Sequence, residues 1–415
     1  QARTVIASKG KWGDIKVALL QEIETTKHST QTTLFIRQLL ERIESIEQDG
    51  VTNPLIEALF DNSAALPENL DSSVVPEIRV TGEFTDNQRH ALELGRRSPI
   101  SFLIGAPSTG KTRVTSQLIS EYISAGQSTL LCCYTRDALN HAVSRLDEET
   151  RTSELFQGRT ISAVVMDGSQ AVVDNVVVDE AGMANLAHVL CLATLARHRI
   201  LFVGDPMQLT PIAHAESDLA RKWLKQNIFQ LKAGSSNLSE LYFWQARNSA
   251  CVLLREQFNV SDVIAPVLNQ LAYFSTLSEG SGGRGILSVV DTSALDTPLT
   301  GGRSSPINEG HAAIVATEVR QALTRASVEE SLIGVLTPFN SQRKKLTDLF
   351  KEWGLSEDIE IGTIHTFQGR LKNCIVLDLT ASGVDHTFRI LSDENQALAL
   401  LNSAFSRVRT RNRAE

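Results

Sequence analysis

The stretch Ser101-Phe-Leu-Ile-Gly-Ala-Pro-Ser-Thr-Gly-Lys-Thr112 decides how the rest of the chain is interpreted. Its apolar start predicts a short buried strand, its middle a tight loop, and Lys111 the first turn of a helix. Glycines let backbone N–H groups turn toward an anion, and the helix N-terminus adds partial positive charge. The pattern predicts a cradle for the phosphates of a nucleoside triphosphate. The predicted cradle residues are Gly105, Ala106, Pro107, Ser108, Thr109, Gly110, Lys111 and Thr112.

Within this cradle, two side chains have specific predicted roles. Lys111 reaches the β- and γ-phosphates, and the Thr112 hydroxyl binds Mg²⁺. The sequence therefore predicts ATP or a related triphosphate, together with Mg²⁺, as cofactors.

The composition is that of an ordinary soluble globular protein. The chain has 415 residues, 42% of them hydrophobic and 21% charged, which is enough for two or three domains with their own cores. The net charge of −8 argues against a generic basic nucleic-acid binder but allows a narrow basic channel. Because the sequence begins at Gln1 and not at a methionine, we expect a fragment of a longer protein.

The cysteines indicate a reducing compartment. They show no metal-ligand spacing and most lie in apolar runs, so we expect buried reduced thiols. No signal peptide is visible, and we expect a cytoplasmic protein, nucleoid-associated in a bacterium or nuclear in a eukaryote. The cysteines are Cys132, Cys133, Cys191, Cys251 and Cys374.

Alternating apolar strands and amphipathic helices predict an α/β fold with parallel sheets covered on both faces. Residues 1–60 read as helices, with one apolar face through Ile36, Leu39, Leu40, Ile43 and Ile46, and residues 62–82 read as a linker. We expect a helical segment and linker over 1–82, one α/β domain over 83–265 and a second over 266–415. The predicted strands are Ile100–Ile104, Thr129–Cys133, Val176–Asp179, Ile200–Val203, Ile286–Val290, Ile333–Leu336, Glu360–Thr363 and Cys374–Leu379.

Two carboxylates follow a buried strand at Val176-Val-Val-Asp179-Glu180. A Mg²⁺-dependent triphosphatase needs a metal anchor opposite the phosphate loop and a base for water. We interpret Asp179 as the metal anchor and Glu180 as the base. The next strand ends in Gly204-Asp-Pro-Met-Gln208, which puts Gln208 beside the γ-phosphate as a sensor of hydrolysis.

Together these motifs resemble superfamily 1 helicases, in the branch (1B) of the nonsense-mediated-decay and Okazaki-fragment helicases and their bacterial relatives. The resemblance runs from about Phe84 to Arg409. The matching stretches are Phe84–Gln88 (Q motif), Gly105–Thr112 (motif I), Asp179–Gly182 (motif II), Gly204–Gln208 (motif III), Val335–Gln342, Gly362–Gly369 (motif V) and Leu401–Arg409 (motif VI).

The resemblance implies two tandem RecA-like domains with ATP in the cleft between them and single-stranded DNA or RNA across their tops. It implies that Gln88 reads the adenine, that Gly369 joins the nucleotide-binding residues, and that Arg407 is an arginine finger. Backbone-directed contacts suit movement that is independent of sequence. The implied nucleic-acid contacts are Thr135, Thr160, Thr337, Pro338, Phe339, Thr363, His365 and Thr366.

The chain departs from the family pattern at three places. Asn259 stands where family members carry a second arginine, and Leu371 replaces an acidic residue of motif V. If Glu256–Val260 is helical, Arg255 points elsewhere and does not take over the missing arginine's role. The phosphate loop carries Ala106 and Ser108 where the family prefers Pro and Gly.

Two functional hypotheses follow. The first is an ATP-dependent translocase or helicase, whose 5′-to-3′ direction rests on the resemblance. The alternative is a non-unwinding ATP-dependent clamp or regulatory ATPase that holds nucleic acid for a partner nuclease or effector, as Asn259 and Leu371 suggest. A GTPase or small-molecule kinase is disfavoured because no guanine-specifying N-K-x-D is visible.

Overall fold

The chain divides into two compact units, each built around a parallel sheet. A computed structural model describes residues 2–50, 53–60, 70–77, 82–167, 171–258, 260–279, 283–295, 297–302, 305–326, 329–367, 370–380 and 394–408. The first unit comprises Gln1–Ala106, Gly110–Pro206 and Thr210–Leu254, and the second comprises Pro107–Thr109, Met207–Leu209 and Arg255–Glu415. The sequence-based boundaries after residues 82 and 265 stay predictions. No helix among the described residues has the length and apolar character needed to cross a bilayer.

The first unit contains six parallel strands in the order β3-β2-β4-β5-β1-β6. Every residue of β1 and β2 is buried, as expected for parallel strands covered on both faces. The predicted α/β class is thereby confirmed. The strands are β1 (Ile100–Gly105), β2 (Thr129–Cys133), β3 (Phe156–Thr160), β4 (Val173–Val178), β5 (Ala196–Gly204) and β6 (Cys251–Leu254).

Two strands of this sheet were not predicted. The segment Phe156-Gln-Gly-Arg-Thr160 is polar and half-exposed because β3 is an edge strand, so it lacks the apolar run of a buried strand. The other edge strand, β6, is only four residues long and follows a helical stretch. Edge strands carry a weaker sequence signal because one side has no neighbour.

Twelve α-helices are described in the first unit, and a short 3₁₀ helix lies at Ala181–Met183. Gly234, with φ of 70°, lies at the C-cap of the helix Ile228–Ala233. The helices are α1 (Ala2–Thr26), α2 (Thr30–Gln48), α3 (Pro54–Phe60), α4 (Asp86–Arg97), α5 (Lys111–Ser124), α6 (Arg136–Val143), α7 (Glu148–Thr152), α8 (Ile161–Met166), α9 (Leu186–Ala193), α10 (Asp218–Leu224), α11 (Ile228–Ala233) and α12 (Leu238–Arg247).

Helices α1 and α2 form an antiparallel hairpin. The Thr26 and Thr33 hydroxyls lie 3.4 Å apart beside the turn, and Lys16 Nζ lies 2.6 Å from Glu47 Oε2 toward the other end. The apolar face of α2 is buried as predicted, except that Leu40 is half-buried. Part of the predicted linker, residues 61–69 and 78–81, lies outside the described residues.

The second unit contains a three-stranded parallel sheet in the order β12-β11-β13. Two short pairs accompany it, parallel β7–β8 and antiparallel β9–β10. The strands are β7 (Glu256–Gln257), β8 (Ser278–Glu279), β9 (Thr300–Gly302), β10 (Ser305–Ile307), β11 (Ile333–Thr337), β12 (Glu360–Thr363) and β13 (Cys374–Leu377). The helices are α13 (Ile264–Ala272), α14 (Glu309–Ala326), α15 (Asn340–Glu352), α16 (Glu394–Phe405) and a 3₁₀ helix at Glu330–Leu332.

One expectation about the second unit was wrong, and one condition set by the sequence is not met. Ile286–Val290 is not a strand, and Ile286 is 91% exposed, because β-branched composition alone does not provide a neighbouring strand. Glu256–Gln257 is a strand paired with Ser278–Glu279, so the helical condition for excluding Arg255 is not met. Asn259 itself lies outside the described residues.

Candidate nucleotide-binding site

The phosphate loop connects β1 to α5 and contains two residues with left-handed backbone. Ser108 has φ of 62° and Gly110 has φ of 88°. The Lys111 ammonium lies over the loop and donates to the carbonyl oxygens of Gly105, at 2.7 Å, and Ala106, at 3.0 Å. These two bonds hold the ammonium close to the loop that the sequence predicts for phosphates. Phosphate oxygens can replace the carbonyl oxygens as its acceptors.

Gln88 packs against this loop. It is 2% exposed, and its Oε1 accepts from Thr85 N at 3.2 Å while its own N–H donates to Thr85 Oγ1, forming a capping box at the start of α4. A Cβ added to Gly110 would lie 2.4 Å from Gln88 Nε2. The adenine-reading role of Gln88 stays a prediction, and the structure adds a packing role for its amide.

The acidic pair follows β4 directly, as predicted. Asp179 is 9% exposed, and burial raises the pKa of its carboxyl, while the Glu180 N–H and the nearby charges of Lys111 and His141 lower it. Backbone bonds fix this position, since Asp179 N donates to Cys132 O at 2.8 Å. The structure thus brings Asp179 within electrostatic reach of Lys111, although the two lie 68 positions apart in sequence.

Glu180 has a left-handed backbone, with φ of 53° and ψ of 37°, and precedes the 3₁₀ helix at Ala181–Met183. Non-glycine residues in this region are uncommon and are held there by their surroundings. Glu180 N donates to Asp179 Oδ1 at 2.8 Å, and Thr135 Oγ1 lies 3.5 Å from Glu180 Oε2. The two carboxylates also affect Cys133 at the end of β2. Burial is the main cause that raises the pKa of its thiol, and the negative charges of Asp179 and Glu180 raise it further.

The side chains present fit a magnesium ion. Mg²⁺ prefers oxygen ligands and usually takes one or two from the protein and the rest from phosphates and water. Asp179 offers a carboxylate whose charged form burial disfavours, and Thr112 offers a hydroxyl one residue into α5. No cluster of three or more His, Cys, Asp or Glu side chains suited to a metal occurs within the described ranges.

Gln208 and Arg407 meet within the second unit. Arg407 Nη2 lies 3.4 Å from Gln208 Oε1, and Arg407 Nε donates to Ser403 O at 3.0 Å, one turn back along α16. Asn402 of the same helix donates to Met207 O at 2.9 Å, next to Gln208. The structure therefore brings together the predicted sensor and the predicted finger, and their roles toward a nucleotide stay predictions.

Residues 107–109 of the phosphate loop belong to the second unit and bond to the segment that follows β7 and to β7 itself. Phe258 N donates to Ser108 O at 2.8 Å, and Gln257 Nε2 donates to Pro107 O at 3.3 Å. The sequence pattern pointed to this region only through Asn259, and the contact by its neighbours was not predicted. Gly369 and Arg409, which belong to motifs V and VI, lie outside the described residues.

Thr135 and Thr160, two of the predicted nucleic-acid contacts, lie at the carboxyl ends of neighbouring strands. Each is the N-cap of the helix that follows, α6 or α8, and accepts a backbone N–H bond through its hydroxyl. Cys133 pairs with Thr160 across β2 and β3, so both threonines belong to one edge of the sheet.

The predicted contacts of the second unit differ in exposure. Thr337, Pro338 and Phe339 are buried, and the Thr337 hydroxyl lies 3.0 Å from Thr380 Oγ1, so this bond must open before Thr337 can bind a phosphate. Thr363 and Thr366 hold each other through an exposed hydroxyl pair 3.1 Å apart. Burial lowers the pKa of His365. Of the predicted nucleic-acid contacts in the second unit, the Thr363 and Thr366 hydroxyls are therefore open to solvent, whereas the Thr337 hydroxyl is not.

Comparisons with known proteins give matches along most of the chain. Two family models, each described as an AAA domain, match residues 88–214 and 236–412. The chain is 23% identical over 352 residues to the DNA replication ATP-dependent helicase/nuclease DNA2 of Xenopus laevis, covering 69% of this chain and 33% of the relative. It is 24% identical over 254 residues to a regulator of nonsense transcripts 1 homolog of Neurospora crassa, covering 57% of this chain and 22% of the relative.

A solved complex of the arterivirus helicase nonstructural protein 10 with DNA aligns at 12% identity and a TM-score of 0.42, covering 78% of this chain and 61% of that one. The chain spans about a third of the length of the first curated relatives it matches.

The parallel sheet, the phosphate loop and the acidic pair after β4 define a P-loop nucleotide-binding protein. The motif order and the two matched domains then specify the class further. Together, the two AAA-domain matches and the helicase relatives support a superfamily 1 helicase of the type that includes the DNA2 and nonsense-transcript relatives.

Proposed function

We propose that this chain is an ATP-dependent motor that couples hydrolysis of Mg-ATP to 5′-to-3′ movement on single-stranded nucleic acid. The observation that carries the proposal is the placement of Lys111 after β1 and of the buried Asp179 after β4, two parallel strands separated in the sheet only by β5. This arrangement supplies a phosphate-binding cation and an acidic ligand at the same edge of one sheet. The relatives named ATP-dependent helicases support the same activity.

In the proposed reaction, the backbone of the loop and the Lys111 ammonium bind the triphosphate, and Glu180 orients the attacking water. The Glu180 carboxylate accepts the proton that this water loses as its oxygen bonds to the γ-phosphorus, and the bond from that phosphorus to the bridging oxygen breaks, so that ADP leaves. Asp179 and Thr112 are the residues that would hold Mg²⁺, which neutralises phosphate charge when it is bound. Gln208 senses the γ-phosphate, and Arg407 supplies a further cation to the transferred group.

The proposed nucleic-acid contacts use hydroxyls and not base-reading side chains. Thr135, Thr160, Thr363 and Thr366 offer polar groups of the kind that bind phosphate oxygens without reading sequence. The DNA2 relatives are named for DNA replication, whereas the other relative is named for nonsense transcripts. We therefore propose single-stranded DNA as the first substrate to test and single-stranded RNA as the second.

A panel of nucleic acids tests this proposal. ATP hydrolysis by the wild-type chain is measured alone, with single-stranded DNA and with single-stranded RNA, followed by unwinding of 5′- and 3′-tailed duplexes. We expect stimulation by nucleic acid, loss of hydrolysis in Lys111→Ala, and unwinding only from a 5′ tail. The exposed substitution Glu154→Gln is the matched control and should behave as wild type. A wild-type rate that nucleic acid does not change would contradict the proposal.

A second candidate is a non-unwinding clamp or regulatory ATPase that serves a nuclease or effector. Leu371, where the family carries an acidic residue, is 46% exposed and so removes a charge from the surface of the second unit. The DNA2 relatives are named helicase/nucleases, which agrees with a nuclease partner or domain. Nucleic-acid-stimulated hydrolysis without unwinding of either tailed duplex would favour this candidate.

A further inference from the structure

The Thr135 hydroxyl contacts two groups of the first unit. As the N-cap of α6, its Oγ1 accepts the backbone N–H of Ala138 at 3.1 Å. The same hydroxyl donates to Glu180 Oε2 at 3.5 Å, across 45 positions of sequence. A hydroxyl has a single proton, so it can donate to only one acceptor at a time. In this conformation that acceptor is the carboxylate proposed as the catalytic base.

This contact is long for an O–H···O bond, whose usual range is about 2.5–3.0 Å. A bond of this length is weak, so exchanging its acceptor costs little. Thr135 and Glu180 are both half-buried, which leaves the hydroxyl within reach of solvent and of a ligand. The hydrogen bond between Thr135 and Glu180 can therefore break and re-form at little cost in free energy.

The backbone of Glu180 restricts where its carboxylate can go. Its left-handed conformation and the bond from Glu180 N to Asp179 Oδ1 fix the Cα–Cβ direction. The carboxylate can then change position only by rotating its own side chain. A donor that holds one carboxylate oxygen favours the rotamer in which that bond forms.

Thr160 provides an internal comparison. It ends the neighbouring strand β3, caps α8 by accepting Ala163 N at 3.2 Å, and is another predicted nucleic-acid contact. Its hydroxyl lies 3.1 Å from Ser162 Oγ, an exposed local partner. Capping a helix at this edge of the sheet therefore does not by itself require a contact with the acidic pair, and the Thr135 contact calls for a separate explanation.

We propose that Thr135 is a positioning residue that restrains Glu180 until nucleic acid binds. This inference rests on the proposed function, since it needs Glu180 as the base and nucleic acid as the activator. A phosphate oxygen of the nucleic-acid backbone accepts the Thr135 proton in place of Glu180 Oε2. The released carboxylate then takes its productive rotamer and accepts a proton from water, so binding of nucleic acid raises the hydrolysis rate.

The test measures ATP hydrolysis without nucleic acid and with saturating oligothymidylate, in wild type and three variants. Thr135→Val removes the hydroxyl and keeps the shape, Thr135→Ser keeps the hydroxyl, and Asn237→Ala removes an N-cap from α12 elsewhere in the unit. Thermal denaturation shows that each variant is folded, and fluorescence anisotropy of labelled oligothymidylate confirms saturation. Loss of an N-cap alone affects stability and not the ratio of the two rates.

We expect Thr135→Val to raise the rate without nucleic acid by about fivefold, the change expected from losing one weak hydrogen bond to a charged group. Its stimulation by oligothymidylate should shrink accordingly. Thr135→Ser retains the hydroxyl and should change the two rates less than Thr135→Val does, whereas Asn237→Ala should keep both wild-type rates. A rate without nucleic acid that is unchanged or lower in folded Thr135→Val overturns the inference. Wild-type hydrolysis that oligothymidylate fails to stimulate contradicts the proposed function instead, so the two failures are distinguishable.

Discussion

Gln88 and Gly110 are packed so closely that no side chain fits between them: a Cβ on Gly110 would lie 2.4 Å from Gln88 Nε2. Moving the Gln88 amide aside would break the bond that its Oε1 accepts from Thr85 N, which is one of the two bonds of the capping box. Glycine is favoured at position 110 for two reasons: it leaves room for the Gln88 amide, and its φ of 88° lies in the left-handed region that other residues rarely adopt. This contact ties the start of α4 to the phosphate loop.

Gly110→Ala should therefore weaken ATP binding beyond the effect of backbone strain. Gly126 offers a matched control, since its φ is 74° and a Cβ there meets nothing within 4 Å. We expect Gly126→Ala to lose about 1 kcal/mol of unfolding free energy from strain alone. Gly110→Ala should lose more and bind a fluorescent ATP analogue at least about tenfold more weakly, by roughly 1.4 kcal/mol. Equal binding by the two variants would show that the Gln88 contact is unimportant.

Asp179→Asn should make the ligand-free protein more stable and inactive. Burial raises the pKa of Asp179 above its unfolded value, so its ionised form destabilises the fold at neutral pH. Asparagine keeps an oxygen for the Glu180 N–H and carries no charge. We expect a higher melting temperature near neutral pH and a loss of hydrolysis of about a hundredfold or more.

The stability gain of Asp179→Asn should shrink as the pH falls through the raised pKa, because the wild-type carboxyl then becomes neutral too. Thermal denaturation over an acidic pH series measures this directly. A variant that is less stable than wild type at neutral pH would show that the charge on Asp179 is already compensated without a ligand.

His188 should make the fold sensitive to acid. Both of its ring nitrogens are buried and have no hydrogen-bond partner among the described residues. Its ring lies 5.7 Å from that of Phe35, and burial lowers its pKa to about 4. The unfolded chain binds a proton at this residue below about pH 6.5 while the folded chain does not. His188 therefore does not reduce the free energy of unfolding above that pH. As the pH drops from about 6.5 toward 4, the free energy of unfolding falls by roughly 3 kcal/mol because of this residue.

His188→Leu should remove this part of the acid sensitivity, which denaturant unfolding at several pH values measures. The exposed His90 provides the control, and His90→Leu should leave the wild-type pH dependence in place. A pH profile that is the same in His188→Leu and wild type would contradict the assignment.

Glu22 should be important for attaching the α1–α2 hairpin. Its carboxylate is 5% exposed and accepts the backbone N–H groups of His214, at 2.8 Å, and Ala215, at 2.7 Å. Glu22→Ala leaves the buried Ala215 N–H and the part-buried His214 N–H without this acceptor and should cost about 2–4 kcal/mol in unfolding free energy. The exposed Glu24→Ala should cost less than about 0.5 kcal/mol. Equal effects of the two substitutions on chemical denaturation would contradict this role.

The site motifs were predictable because their residues are adjacent in sequence and follow buried strands. The Lys111 loop and the Asp179-Glu180 pair each occupy one strand–loop junction, and parallel strands bring such junctions to one edge. Contacts across long sequence separations were not predictable. Glu22 with His214 and Thr135 with Glu180 depend on how helices and loops pack, which no local pattern records.

The failed strand at Ile286–Val290 has a related cause. Its composition favours a strand, but strand formation requires a partner at the correct register, and the described structure gives this segment none. Conversely, the polar strand β3 forms because β2 provides a full register of partners from Thr129 to Cys133. Pairing outweighs composition in both cases.

The most direct test of the central claim is the ATP hydrolysis rate of wild type and Glu180→Gln, each with and without single-stranded DNA. Glutamine keeps the shape of Glu180 but cannot accept the proton from water. We predict that wild type is stimulated by DNA, that Glu180→Gln still binds ATP, and that its hydrolysis is at background under both conditions. Unchanged hydrolysis in Glu180→Gln would contradict the assignment of the site.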